Sequence, residues 1–450
     1  MKIQKFSYSA DPLQVFQALM AESEHCYLLE SADGPRKLAQ YSFIGYSPSR
    51  VLSAKNDIYS EWSEDGKTVR VETKDPLSFL RGALQRTSSY RGFRFVGGLI
   101  GYFSYDMVRH FESLPDLVED DLKLPDFQFG KFDDGIVFDH LSGLAYYYWY
   151  DENRIHEIKR LLTADRAIPK LSSTPGRVNL SQSEFISKVN KAKSYITDGD
   201  IFQTVLSKRF EFEIDGSLIH FYRRLRDINP SPYMYFLKMG QLSIVGSSPE
   251  MLGRLDGRQV ETFPIAGTRP IGKNARETEK LAASLIKDPK ERAEHVMLVD
   301  LARNDVSKVC QFGSVEVPDF MTIQKYSHVQ HIVSRVTGKL EPENDAIDVL
   351  KAIFPAGTVS GAPKKRAMEI IEELEPCRRG PYAGALGYFS YNGNADFAIT
   401  IRTLVARERR AYVQVGAGIV ADSNARREWS ETEHKAGALL RALKTEKDTK

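Results

Sequence analysis

Between Ser183 and Asp200 the apolar positions Phe185, Val189, Ala192 and Ile196 recur every three or four residues, which predicts an amphipathic helix with Ser183 and Gly199 suited to its ends. The period then changes. Within 201–215, Phe210, Phe212 and Ile214 alternate with charged residues, the pattern of a half-buried strand. Asp288-Pro289 opens a helical pattern to about Val309, since Asp caps a helix and Pro is preset for its first turn. Two more helices are predicted over 362–374, stopped by Pro376, and over 425–443, with strands at 383–391, 396–406 and 410–421. The first 150 residues read as mostly β, because CYLLES (26–31), YSFIGYSP (41–48), GGLIGYFSYD (97–106) and GLAYYYWYD (143–151) are aromatic and β-branched runs between turn signals. Helices and strands come in runs and hairpin-like pairs dominate, so the fold class is α+β with antiparallel sheets rather than a doubly wound sheet. The Ser/Pro/Gly-rich stretch 163–182 carries no period and marks the boundary: 1–165 as one half, 166–182 as linker, 183–445 as the other. The run GYFSY occurs in both 97–106 and 384–392, which predicts equivalent strands in two sheets packed on each other.

Composition narrows the classes. The 450 residues carry 62 Lys plus Arg against 60 Asp plus Glu, so no global basic field is present and nucleic acid is not an expected partner. Cys26, Cys310 and Cys377 form no CxxC pair, which argues against a disulfide framework or zinc site and for a cytoplasmic protein. The most apolar stretch, FVGGLIGYF at 95–103, is far short of the roughly 20 residues of a membrane span. No membrane association is expected.

Chemistry is suggested by two helical carboxylate pairs at i, i+3, Glu291 with Glu294 and Glu428 with Glu431. Two such faces meeting would suit a hard cation such as Mg²⁺, although the spacing is common on solvated helices and Asp288-x-x-Glu291 also fits a capping box. Lys435 shares the face of Glu431, as a surface ion pair or as a cation beside an anionic ligand. PAGTVSGAPKKR (355–366) is a Gly-rich loop entering a helix, with the hydroxyls of Thr358 and Ser360, and suits a carboxylate or phosphate; it lacks the order of a Walker loop. Gly267 and Thr268 in PIAGTRP offer a backbone N–H and a hydroxyl, or simply a turn. Gly416 and Gly418 interrupt a strand, which fits close approach of a ligand or a bulge. His331, Tyr382, Arg402 and Ser31 carry no spacing signal that separates a site from packing. The residues alone thus give an α+β protein, plausible as a Mg²⁺-dependent enzyme acting on an anion.

As an ordered set, GDIFQ (199–203), GSSPE (246–250), PIAGTRP (264–270), ERAEHVMLVDLARND (291–305), QHIVSRV (330–336), GTVSGAPK (357–364), RRGPYAGALGYFS (378–390), IRT (401–403), GAGIV (416–420) and REWSETEHK (427–435) resemble the chorismate-utilising enzymes, most of all the branch that makes anthranilate. The resemblance implies two intergrown halves with orthogonally packed antiparallel sheets flanked by helices, the site in the cleft between them. It implies Mg²⁺ at Glu294 and Glu431, with Glu291 and Glu428 in the same acidic cluster. Substrate contacts are implied for Gly267, Thr268, Tyr382, Arg402, Gly416, Ala417, Gly418 and Lys435. Glu250 matches the acid that protonates the departing C4 hydroxyl, His331 the histidine of pyruvate elimination, and Thr358 a loop beside the substrate. Gln203 stands where water-using relatives carry a lysine base, so ammonia is the implied nucleophile. Ser31, with Pro232, Tyr233 and Met234 in NPSPYM, matches the family's tryptophan feedback site, and LLES and the strands after it resemble the family's N-terminal regulatory half.

The implied reaction converts chorismate and ammonia to anthranilate and pyruvate. No glutaminase elbow such as GxCxG is present, so a separate glutamine amidotransferase subunit is the expected partner. The nearest alternative is the large subunit of aminodeoxychorismate synthase, which stops before pyruvate loss; Ala266, where many of those enzymes have a lysine nucleophile, and LLES speak against it. A regulatory subunit with a dead site and a generic Mg²⁺ phosphotransferase are the other readings.

Overall fold

The computed structural model describes residues 1–6, 11–31, 40–164, 167–326 and 329–444. The expected boundary at 165–166 and the expected end at 445 lie outside the described residues. Two antiparallel sheets, of 13 and 12 strands among the described residues, pack face to face and are flanked by helices. Each sheet draws strands from both sides of the 163–182 stretch: His25–Glu30 pairs with Tyr233–Met239 in the first, and Gly98–Phe103 with Ala385–Ser390 in the second. Tyr27, Phe43, Ile100, Tyr102, Tyr235 and Tyr388 fill the layer between the sheets. The outer faces bury separate helix-covered cores, one around Phe16, Phe221 and Leu439, the other around Phe103, Leu350 and Met368.

The predicted elements are found with shifts that have local causes. Ser181, not Ser183, caps the helix Gln182–Thr197, because Glu184 returns its carboxylate to the Ser181 N–H (2.8 Å) and closes a capping box. Asp288 caps the helix Pro289–Ser307, but Glu291 completes no box; its carboxylate turns to Arg269. The GYFSY echo is corrected: the two copies are neighbours in one sheet, paired antiparallel with Gly101 opposite Gly387. Identical runs paired this way are related by a local two-fold through the glycine pair, which puts the seam between the halves inside a sheet.

The strand predicted over 396–406 is two strands in different sheets. Ala395–Ile399 belongs to the second sheet and Thr403–Arg407 to the first, with Arg402 in a left-handed conformation (φ 49°) at the crossing. Leu242–Ser248 and Met251–Asp256 make the same crossing beside it, with Pro249 and Glu250 at the bend. The two crossings pair with each other in both sheets, so a single ribbon bends from one sheet to the other and carries Glu250 and Arg402 at its corner.

Candidate active site

That corner forms the floor of a cleft of ≈ 810 Å³. One wall is the helix Pro289–Ser307, packed on Ile265–Pro270 and Val329–Lys339 of the second sheet; the other is the helix Ala425–Leu443, packed on Arg410–Ile419 of the first. Gln203, Glu250, Gly267, Thr268, Glu291, Glu294, His331, Thr358, Tyr382, Arg402, Gly416, Gly418, Glu428, Glu431 and Lys435 all line it. Residues more than 200 positions apart in sequence are thereby gathered in one cavity. Ala417 is the exception: alternation along its strand turns the methyl to the opposite face, among Phe185, Val189 and Ile370.

The glycines clear space for neighbours. A Cβ on Gly416 would lie 2.6 Å from the Tyr382 hydroxyl, and one on Gly418 2.9 Å from Gln203 Nε2. Gly267, in left-handed conformation at a bulge between Ala266 and Arg269, presents its carbonyl to His331 Nδ1 at 2.8 Å. A carbonyl can only accept, so Nδ1 carries the proton and Nε2 of the neutral ring is the basic nitrogen. Burial lowers the His331 pKa, which keeps the ring neutral.

Glu250 is buried at the floor of the cleft, and burial raises its carboxyl to about 7 against the opposing pull of a hydrogen bond from Thr358 and of Lys435 and Arg402. It is poised to give a proton near neutrality. Arg402 is half-buried, its pKa lowered by desolvation and supported by Glu250; its guanidinium donates to Asn229 Oδ1 (3.3 Å) and makes no ion pair among the described residues. A half-buried guanidinium without an ion-pair partner is a fork suited to a carboxylate. Gln203 Oε1 is buried without a hydrogen-bond partner, a further polar atom left for a ligand. Lys435 bridges Glu431 (2.7 Å) and the Gly416 carbonyl (2.9 Å), so it is neither a free surface charge nor remote from the cleft.

The four helical carboxylates face one another across the cleft. Burial and then Glu291 raise the Glu294 pKa, with Glu431 adding to it, and burial and Glu431 raise that of Glu428. This negative field of hard oxygen donors suits a divalent cation. As placed, no three acidic, histidine or cysteine side chains converge on one point among the described residues, because Arg269 holds Glu291 (3.1 Å) and Lys435 holds Glu431.

A family model described as chorismate binding enzyme matches residues 58–441. The chain belongs to the chorismate-binding enzymes. Within them it is 49% identical to anthranilate synthase component 1 of Methanothermobacter marburgensis, over 96% of this chain and 93% of that one. It is 46% identical to the component 1 protein of Aquifex aeolicus, over 96% and 92%. The crystal structure of anthranilate synthase component I from Streptococcus pneumoniae superposes with a TM-score of 0.80 at 37% identity, covering 90% of this chain and 92% of that one. The menaquinone-specific isochorismate synthase of Escherichia coli, at 17% identity and a TM-score of 0.73 over 98% and 94% of the two chains, shares the fold.

In this member of the chorismate-binding enzymes a second cavity, ≈ 50 Å³, lies between the sheets and is lined by Ser31, Pro232, Tyr233 and Met234 together with Glu30, Arg254 and Asp396. Ser31 Oγ donates to the Pro232 carbonyl (2.8 Å), and the Tyr233 hydroxyl to Asp396 (3.0 Å). All four residues expected at the feedback site are thus brought together, apart from the cleft. Sequence reading missed Asn229, which holds Arg402, and Gln414, Lys290 and His434 in the cleft walls. Asn229-Pro230 reads only as a turn signal, and nothing local in the sequence distinguishes the others from surface polar residues.

Proposed function

We propose that the chain is component 1 of an anthranilate synthase, a lyase of tryptophan biosynthesis that works in the cytoplasm with a separate glutamine amidotransferase subunit in a hetero-oligomer. The observation that carries the reading is the pairing, at the bend of one ribbon, of a buried carboxyl raised to about 7 with a half-buried guanidinium that has no ion-pair partner among the described residues, Glu250 beside Arg402. Arg402 binds the enolpyruvyl carboxylate of chorismate, while Thr268, Tyr382, Lys435 and the backbone at Gly267, Gly416 and Gly418 frame the ring. The orphaned Gln203 Oε1 accepts a hydrogen bond from ammonia and aims its lone pair at C2. Glu250, beside Thr358, gives its proton to the C4 hydroxyl as it leaves as water. The basic Nε2 of His331 takes the C2 proton as the C3–O bond breaks and the ring becomes aromatic, and the enolpyruvate released takes up a proton at its methylene carbon to leave as pyruvate.

Glu294 and Glu431, with Glu291 and Glu428 beside them, would hold Mg²⁺, which supplies charge neutralisation for the ring carboxylate of the substrate. A phosphotransferase reading has no nucleotide-binding loop to support it. Ala266, which lines the cleft, offers no amine to attack the substrate, so ammonia adds directly rather than by way of a covalent enzyme adduct. Separate supply of ammonia is supported by the cysteines: all three are buried, and burial pushes the thiols of Cys26 to about 12 and of Cys310 and Cys377 to about 11, opposite to a glutaminase nucleophile.

Purified chain given chorismate, Mg²⁺ and an ammonium salt at mildly alkaline pH should release anthranilate and pyruvate together, and EDTA should stop both. Glutamine in place of ammonium should give neither until the amidotransferase is added. Chorismate consumed without pyruvate would instead indicate the aminodeoxychorismate reaction.

The Ser31 cavity is the proposed tryptophan feedback site. Ser31→Phe fills it and breaks the bond to Pro232, so its expected result is loss of tryptophan inhibition with ammonium-dependent activity retained; unchanged inhibition constants would remove the assignment.

A further inference from the structure

The helix Pro289–Ser307 turns Glu291 and Glu294 to the cleft and packs on the second sheet through apolar side chains such as Val299 and Val306. Contacts of that kind are non-directional, so they hold a helix near a sheet without fixing its rotation or its height. His295 is of another kind. It follows Glu294 directly, is completely enclosed and does not line the cleft, and its Nε2 lies 2.6 Å from the hydroxyl of Ser334, which is equally enclosed.

Ser334 Oγ accepts the Met321 N–H (2.9 Å) and gives its own proton to His295 Nε2, the acceptor it meets among the described residues. Met321 is in left-handed conformation (φ 53°) where the pairing of Glu316–Lys325 with Val329–Lys339 shifts register, so its N–H is taken by the serine instead of the ladder. Ser334 N–H donates to the Pro264 carbonyl (3.2 Å), where the chain enters PIAGTRP. One serine thus fastens the helix to three segments of the second sheet, and it stands three residues after His331 in the same strand.

The arrangement is costly for packing alone. His295 Nδ1 finds no partner among the described residues, and a buried polar atom left unsatisfied lowers stability. An apolar side chain would avoid that cost but would lack direction. A short hydrogen bond tolerates little rotation or sliding of the helix, and any slip at His295 carries Glu294 with it. Mg²⁺ is exacting about such placement, since it demands near-ideal geometry at about 2.0–2.1 Å from its oxygens.

We infer that His295, held by Ser334, is a positioning residue: it sets the rotation and height of the Pro289–Ser307 helix, and thereby the placement of Glu291 and Glu294 opposite Glu428 and Glu431. The inference rests on the reading of those carboxylates as the Mg²⁺ site.

The test uses the full-length chain with chorismate but neither ammonium nor glutamine, so that no anthranilate forms, and follows Mn²⁺ binding by the electron paramagnetic resonance of the free ion. His295→Leu keeps a side chain in the space and loses the hydrogen bond. Its Mn²⁺ dissociation constant should rise by about 10- to 100-fold with the number of sites unchanged, the usual effect of losing a group that orients metal ligands. His295→Gln, whose amide can replace Nε2 at the serine, should return most of that affinity. Ser334→Ala should weaken binding in the same direction, and adding it to His295→Leu should change little, because both remove one interaction. In steady-state assays with ammonium, the Mg²⁺ needed for half-maximal rate should rise in parallel, while kcat at saturating Mg²⁺ changes far less. Parental affinity in His295→Leu, fewer sites of parental affinity, or a loss that glutamine does not restore overturns the positioning role. A Glu294→Gln chain that binds Mn²⁺ as tightly as the parent overturns the metal reading itself, and the inference with it. Should His295→Leu fail to fold, Ser334→Ala carries the same readings.

Discussion

Glu250→Gln is expected to lower kcat for anthranilate formation by roughly 10²–10⁴-fold, the usual contribution of a general acid, with a much smaller change in the chorismate KM. Glutamine keeps the shape and hydrogen-bonding capacity of the protonated carboxyl at the ribbon corner but has no acidic proton to give. The pH dependence has a definite sign. Burial raises Glu250 to about 7, so the active, protonated form dominates below that pH and disappears above it. At a fixed concentration of free ammonia, kcat/KM should therefore fall through an arm near pH 7, and the residual rate of Glu250→Gln should lack that arm. Stability moves with the same proton. A carboxyl raised on folding favours the native state below the ordinary carboxylate range, and that advantage is lost as pH rises through about 7. Glu250→Gln should thus melt at a higher temperature than the parent at pH 8 while being nearly inactive. A variant that kept parental turnover, or whose melting temperature tracked the parent's at every pH, would remove Glu250 from the acid role.

The site's position shows what a sequence can and cannot carry. Carboxylates three apart on a helix announce a shared face, and both pairs do face the cleft; the glycines at 416 and 418 announce a close approach, and both stand against side chains that need the room. These are consequences of local period. Ala417 fell on the wrong side because carrying a motif over as a block ignores the alternation of a strand. The corner holding Glu250 and Arg402 was not legible, since a strand that changes sheets midway looks in sequence like one longer strand, as 396–406 did. GYFSY was visible as a repeat, but only the pairing of Gly101 with Gly387 shows that the copies meet edge to edge. Asn229 stayed hidden for a different reason: its role lies in a partner 173 positions away.

Replacing Arg379 alone should cost about 3–5 kcal/mol of stability, the penalty for leaving one half of a buried ion pair without its partner. Arg379 is almost wholly enclosed and donates to both oxygens of Glu375 (2.7 and 2.9 Å), to the Val359 carbonyl (2.7 Å) and to the Val205 carbonyl (2.8 Å). Glu375 in turn accepts from the N–H and hydroxyl of Ser207 (2.8 and 2.7 Å). The guanidinium also stacks on Tyr105 (4.6 Å) and lies over Tyr382 (5.7 Å), so this one side chain joins the N-terminal GYFSYD run to the cleft. In Arg379→Met the Glu375 carboxylate would remain buried with Ser207 as its support, and the carbonyls of Val205 and Val359 would lose their donors. Arg379→Met combined with Glu375→Leu removes both charges and should recover a large part of the loss, because a buried pair exchanged for apolar groups is often near neutral. Chemical denaturation of the parent, the two single variants and the double variant closes the cycle. Single losses below about 1 kcal/mol, or a double variant no better than the worse single, would show that the pair is not the brace of this wall. The brace also carries a functional consequence: Val359 and Val205 stand beside Thr358 and near Gln203, and Tyr382 lines the cleft. A folded Arg379→Met chain should therefore show a raised chorismate KM, with the Glu250 arm of its pH profile still in place.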